Sequence, residues 1–116
     1  MKILIIEDDP DLREIMTDQF LEKNFIVFQA NNGKQGLEVL EKEAVDMVLS
    51  DVVMPIMDGM NFLKAFKAKY KSHPPIFIMT GGNQYKPEDF IKAGASGYFS
   101  KPVSADEILQ KSLIAS

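Results

Sequence analysis

One stretch near the start of the chain, Met1-Lys2-Ile3-Leu4-Ile5-Ile6 followed by Glu7-Asp8-Asp9, decides the fold. It is a short, unbroken apolar run that ends in acids. Two later runs have the same form: Met47-Val48-Leu49-Ser50, which ends at Asp51, and Ile76-Phe77-Ile78-Met79-Thr80. Continuous apolar runs of this length, bounded by turn signals, are typical of parallel strands buried on both faces. In an open α/β sheet, ligands bind where the carboxyl ends of such strands emerge.

Segments with helical spacing separate these strands. Asp8-Asp9-Pro10-Asp11 has the features of a loop and helix start, and Asn24 marks the end of that helix. The other predicted elements are a helix stripe of Leu12, Ile15, Met16 and Phe20, a strand over Ile26–Ala30, a helix carrying Leu37 and Leu40 inward, a helix marked by Phe62, Leu63, Phe66 and Tyr70, a short helix from Pro87 to Ala93, a strand from Gly97 to Ser100, and a helix from Ala105 to about Ala115. Five strands alternating with five helices predict an α/β fold with a doubly wound parallel sheet.

Composition narrows the class of protein. The 116 residues, 46% of them hydrophobic, suffice for one core, so we expect a single domain over residues 1–116. A net charge of −4 argues against a non-specific nucleic-acid or anionic-membrane surface. The absence of cysteine excludes disulfides and thiolate metal sites. The first apolar run is too short for a signal-peptide core or a membrane span, and we therefore expect a soluble, cytoplasmic protein.

The acids at the strand ends suggest metal-assisted chemistry. Asp8, Asp9 and Asp51 would supply oxygen ligands for magnesium if the first and third strands are neighbours. An aspartate held against a metal ion and Lys101 is also a nucleophile suited to phosphoryl transfer, which needs mainly alignment and charge neutralisation. The hydroxyl of Thr80 lies at another strand end. Each of these residues alone has a simpler explanation as a helix cap, a solvated turn or a surface charge. Their coincidence at four strand ends favours a functional site.

At this point the chain resembles the receiver domain of two-component response regulators, over essentially its whole length. The matching stretches are Ile5-Ile6-Glu7-Asp8-Asp9, Ser50-Asp51 through Met54-Pro55 to Met57-Asp58-Gly59, Met79-Thr80, Ala93-Gly94-Ala95-Ser96-Gly97-Tyr98, and Lys101-Pro102. The resemblance implies a flavodoxin-like sheet with strand order 2-1-3-4-5. Such a domain here would be of the stand-alone, single-domain type.

The resemblance also implies a site. Asp51 would be the phosphoacceptor, and the metal ligands would be Asp8, Asp9, Asp51 and the main-chain carbonyl of Val53. The metal would be Mg²⁺, with Mn²⁺ as an alternative. Lys101 would pair with Asp51 before phosphorylation and with the phosphoryl oxygens after it.

Two further residues would make the domain a switch. Thr80 would move onto the phosphoryl group and Tyr98 would follow it inward, which changes the surface on that side. The expected donors are a sensor histidine kinase or a histidine phosphotransfer protein, and the expected target is a further protein, with no direct contact to nucleic acid or membrane. The domain would be a phosphoacceptor with slow autodephosphorylation and not a turnover enzyme.

Three other hypotheses compete with this one. An aspartyl-phosphate phosphatase of the haloacid-dehalogenase type would need a second aspartate two residues after the nucleophile, where this chain has Val53. A flavodoxin-like FMN binder would need hydroxyls and amides after the first strand, whereas Glu7-Asp8-Asp9 would repel phosphate in the absence of metal. A pseudo-receiver that never takes phosphate usually lacks one of the acids or the lysine, and this chain has them all.

Overall fold

The computed structural model describes residues 1–51, 59–69, 74–80, 87–101 and 103–115. Ten elements follow one another in these segments: β1 (Lys2–Ile6), α1 (Pro10–Glu22), β2 (Ile26–Ala30), α2 (Gly33–Lys42), β3 (Met47–Asp51), α3 (Gly59–Lys69), β4 (Ile76–Thr80), α4 (Pro87–Ala93), β5 (Gly97–Ser100) and α5 (Ala105–Ala115). The predicted alternation of strands and helices is therefore confirmed.

All pairings within the sheet are parallel, and the strand order is β2-β1-β3-β4-β5. This is the doubly wound, flavodoxin-like order that the resemblance implied. At the carboxyl end of β1, Ile6 lies between Ala30 of β2 and Ser50 of β3. The first and third strands are neighbours, so their terminal acids emerge side by side.

Helices cover both faces of the sheet, and alternate side chains of each strand point to opposite faces. One face carries Leu4, Ile6 and Val48 and packs against phenylalanines of α3 and α4. The other carries Ile3, Ile5 and Leu49 and packs against α1 and α5. In β1 every residue after Lys2 is buried, and β3 is buried throughout. Burial on both faces explains why these strands have unbroken apolar sequences.

Local signals fix the ends of α1. Asp9 is the N-cap and Pro10 follows in the first turn, where its missing N–H leaves no lost helical bond. Asn24 has φ of 66° and lies just past the helix, as predicted from the sequence. Ile15 of the predicted apolar stripe is 55% exposed and faces outward, whereas Met16 and Phe20 are buried.

A close approach positions α2 against β1. A Cβ atom on Gly36 would lie 2.5 Å from Cδ1 of Ile6, nearer than atoms can pack. Glycine at this position therefore lets the helix lie directly on the strand whose end carries Glu7. In the part of the chain that the structure describes, no helix has the length and apolar character needed to cross a membrane.

Candidate functional site

Three carboxylates converge where β1 and β3 end. Oxygen atoms of Glu7, Asp8 and Asp51 all lie within 4.8 Å of one another. Glu7 is 1% exposed and Asp51 is 4% exposed, whereas Asp8 is open to solvent. Asp51 is the last residue of β3, and Glu7 and Asp8 directly follow β1, so the parallel register brings them to one edge of the sheet.

Lys101 provides the positive charge of this cluster. It follows β5, and its Nζ lies 3.0 Å from Oε1 of Glu7 and 2.9 Å from Oδ2 of Asp51. The pairing of Lys101 with Asp51 that the resemblance implied is present in the structure. One ammonium thus bridges two buried carboxylates from two other strand ends.

The cluster contains three carboxyl groups, and Lys101 contributes one positive charge to it. Burial, together with the neighbouring Asp51, raises the pKa of Glu7 to about 8 against the opposing effect of Lys101. Burial lowers the pKa of Lys101, but its bonds to Asp51 and Glu7 outweigh that effect and the pKa is raised overall. At neutral pH, in the absence of a metal ion, Glu7 is therefore protonated and Lys101 is charged.

The structure does not bring Asp9 into this cluster. Its side chain caps α1, with Oδ1 accepting from the backbone N–H groups of Asp11 and Leu12 at 2.9 and 3.3 Å. The sequence interpretation placed Asp8 and Asp9 at the metal, whereas the carboxylates that converge here are Glu7 and Asp8 with Asp51. The missed signal was the position of Glu7, directly after a fully buried strand, where a side chain is held beside the neighbouring strand ends.

The structure describes three other predicted residues to different extents. Thr80 is the last residue of β4 and pairs with Ser100, but its side chain is not among the described ones. Val53, and with it the expected carbonyl ligand, lies outside the described residues. Tyr98 in β5 is half-buried and packs against the core face that holds α3 and α4. It pairs with Ile78, two residues before Thr80 in β4.

The donor set fits a hard divalent cation. Oε2 of Glu7 is buried and has no hydrogen-bond partner among the residues that the structure describes. An unpaired buried carboxylate oxygen is costly, and a metal ion would satisfy it. Carboxylate oxygens are the ligands that Mg²⁺ and Mn²⁺ prefer, and the exposed Asp8 leaves one side accessible to water ligands.

Comparison with known proteins agrees with this geometry. Residues 3–112 match the family model of the response regulator receiver domain. The chain belongs to this family. It is 35% identical over 107 residues to sporulation initiation phosphotransferase F of Bacillus subtilis, covering 92% of this chain and 86% of that protein. It is 34% identical over 110 residues to chemotaxis protein CheY of the same organism, covering 94% and 92% of the two chains.

A solved receiver structure has the same fold. The chemotaxis response regulator CheY4 of Vibrio cholerae superposes with a TM-score of 0.83 at 28% identity, over 99% of this chain and 98% of that one. Receiver domains of this family typically use a metal ion at their acidic pocket, and this chain has an acidic group of two buried carboxylates, Glu7 and Asp51, with the exposed Asp8.

Proposed function

We propose that this receiver domain is a phosphorylation-dependent signalling switch in which Asp51 accepts a phosphoryl group in a Mg²⁺-dependent reaction. The observation that carries the proposal is the placement of a buried Asp51 carboxylate between Lys101 and two further acids. The donor would be the phosphohistidine of a sensor histidine kinase or of a histidine phosphotransfer protein. A carboxylate oxygen of Asp51 attacks phosphorus, the phosphorus–nitrogen bond breaks, and the imidazole, whose other ring nitrogen carries a proton, leaves as a neutral group.

The charges around Asp51 support this role. The reacting group spreads negative charge over its equatorial oxygens, so catalysis requires positioned positive charge more than covalent help. Lys101 lies 2.9 Å from Oδ2 of Asp51 and is held there from the other side by Glu7. It is placed to transfer its contact from the carboxylate to an incoming phosphoryl oxygen.

Mg²⁺ would be held by Asp8 and Asp51, with Glu7 beside them, and it would neutralise charge on the phosphoryl oxygens when bound. Glu7 is protonated in the absence of metal because its pKa is about 8. Glu7 would therefore have to release its proton before its carboxylate could bind the cation directly. Asp9 would join them only through Oδ2, because its Oδ1 accepts the two hydrogen bonds of the α1 cap.

The output would be a change of surface on the β4–β5 side. Thr80 and Lys101 would contact the phosphoryl group, and Tyr98 would move inward with Thr80. Contacts that exist only in the phosphorylated state shift a two-state equilibrium without a large rearrangement. The target would be another protein, and the domain would act as a phosphoacceptor without turnover.

The test is phosphorylation by acetyl phosphate with and without Mg²⁺, followed by intact-mass measurement. We expect one adduct in the wild type with Mg²⁺, none in Asp51→Asn, and an undiminished adduct in Asp46→Asn. Asp46 is a matched control because it precedes the same strand at its opposite end, where Oδ2 accepts from the backbone N–H of Lys2. Equal labelling of Asp51→Asn and the wild type would refute the assignment, and a wild type that takes no phosphate would favour a pseudo-receiver.

A further inference from the structure

The convergence of Glu7 and Asp8 needs an explanation of its own. Consecutive side chains of an extended strand point to opposite faces of the sheet. Glu7 and Asp8 are consecutive, yet both carboxylates reach Asp51. Strand β1 ends at Ile6, and the backbone bends at Asp8. The orientation of the peptide between Glu7 and Asp8 therefore decides whether the two acids face the same point.

Arg13 holds that peptide. Its Nη1 donates to the carbonyl oxygen of Glu7 at 2.8 Å, in a partly buried position. On the other side of the residue, the Glu7 N–H donates to the carbonyl oxygen of Ala30 at 3.0 Å. The backbone of Glu7 is thus tied to β2 through its N–H and to α1 through its carbonyl. A hydrogen bond with a charged donor is the stronger kind.

Gln29 orients the guanidinium. Its Oε1 accepts from Nε of Arg13 at 3.2 Å, so two donors of the planar fork are used at once. The same two residues border an open cavity of about 130 Å³. A shorter or less polar side chain at position 13 therefore removes the bonds without crowding its neighbours.

We propose that Arg13 is a positioning residue of the metal site: it fixes the Glu7–Asp8 peptide so that both carboxylates face Asp51, and Gln29 sets its orientation. This inference rests on the proposed Mg²⁺-dependent function. It makes a prediction opposite to that of simple electrostatics. A cation near a metal site repels the metal, so loss of the charge alone would tighten Mg²⁺ binding, whereas loss of the positioning bond weakens it.

The experiment measures Mg²⁺ affinity of the unphosphorylated protein by NMR titration. We expect Arg13→Met to weaken binding about tenfold, since loss of a group that orients metal ligands typically has this effect. Arg13→Lys retains the charge and one donor, and it should recover part of the affinity. Lys42→Met is the charge control, because Lys42 is an exposed cation that borders the neighbouring cavity with Gln29 and touches neither acid in the structure. It should leave binding unchanged or slightly tighter.

Three further measurements separate positioning from general stability. Gln29→Leu changes no charge and should weaken Mg²⁺ binding about threefold, and it serves if Arg13→Met does not fold. In an Asp8→Asn background, Arg13→Met should cost little additional affinity, since the ligand that it orients has already been altered. Backbone amide shifts of residues 7 and 8 should change in metal-free Arg13→Met.

The outcomes are distinct. A wild type that binds no Mg²⁺ overturns the proposed function and this inference with it. A wild type that binds Mg²⁺, with unchanged or tighter binding in both Arg13→Met and Gln29→Leu, overturns the inference alone. Equal losses from Arg13→Met in the wild-type and Asp8→Asn backgrounds would also overturn it, because they would show a general effect on the fold.

Discussion

Replacement of Glu7 by glutamine should stabilise the metal-free protein at alkaline pH while weakening its metal site. Glu7 is 1% exposed, and its pKa is raised from 4.5 to about 8. Between these two pH values the folded state keeps a proton on Glu7 that the unfolded state releases. The contribution of Glu7 to the free energy of unfolding is therefore fully present below pH 4.5 and is lost progressively as the pH rises to about 8. At about 1.4 kcal/mol per pKa unit, the difference between the two pKa values corresponds to a maximum loss of about 5 kcal/mol in the free energy of unfolding. We expect a loss of about 2–4 kcal/mol, because relaxation of the protein and entry of water reduce the cost of burying the charged carboxylate.

The assay is urea unfolding of the wild type and Glu7→Gln in EDTA, at pH 5 and pH 8.5. The two proteins should differ little at pH 5, where Glu7 is neutral, and Glu7→Gln should be the more stable at pH 8.5. Groups elsewhere in the chain cancel in this comparison. Saturating Mg²⁺ should then favour the wild type, which keeps all three carboxylates. Equal pH dependence in the two proteins would refute the argument that Glu7 carries a buried, protonated carboxyl.

Four other variants test three further predictions. Asp8→Asn should abolish most of the increase in melting temperature that Mg²⁺ produces. Asp9→Asn should retain that increase, because asparagine is also a good N-cap. The reverse result would indicate that Asp9 is the ligand. Lys101→Ala should impair switching more than phosphorylation, seen as altered β5 chemical shifts in the phosphorylated protein, and wild-type shifts would contradict its role. Gly94→Ala should cost about 1–2 kcal/mol in urea unfolding, because φ there is 110° and Lys67 lies over the site, and unchanged stability would contradict that strain.

The fold was predictable because its signals are local and repeated. Buried parallel strands need apolar residues on both faces, and the runs that end at Ile6, Asp51 and Thr80 show this directly. Asn24 and Pro10 mark the ends of α1 by their own backbone preferences. The exposure of Ile15 was not predictable in the same way, since helical spacing gives the stripe but not its exact width against the sheet.

Residue type alone does not decide which of Glu7 and Asp9 joins the acidic cluster. Three consecutive acids offer the same chemistry, and their roles depend on how the chain turns after β1. The Asp9 side chain lies outside the acidic cluster, because its Oδ1 accepts hydrogen bonds from two backbone N–H groups of α1. The bend at Asp8 and the bond from Arg13 to the Glu7 carbonyl turn the other two acids inward. These contacts span no more than six residues of the chain, but they depend on the direction in which the backbone turns after β1, which residue type and spacing do not encode.

The burial of two acids beside one lysine is energetically costly, and the proposed metal-dependent reaction gives a reason for it. Glu7 and Asp51 are both buried, and Lys101 alone cannot neutralise them, so the metal-free site holds a proton that its surroundings force upon Glu7. A divalent ion would balance that excess of negative charge. A phosphoryl group on Asp51 would add negative charge, so the cation and Lys101 would have to stay bound beside it. Each step of the proposed reaction would thus change the charge of a cluster that joins the ends of β1, β3 and β5. Because neighbouring strand ends share this cluster, a change in its charge alters their relative stability, and that coupling is what a switch of this kind requires.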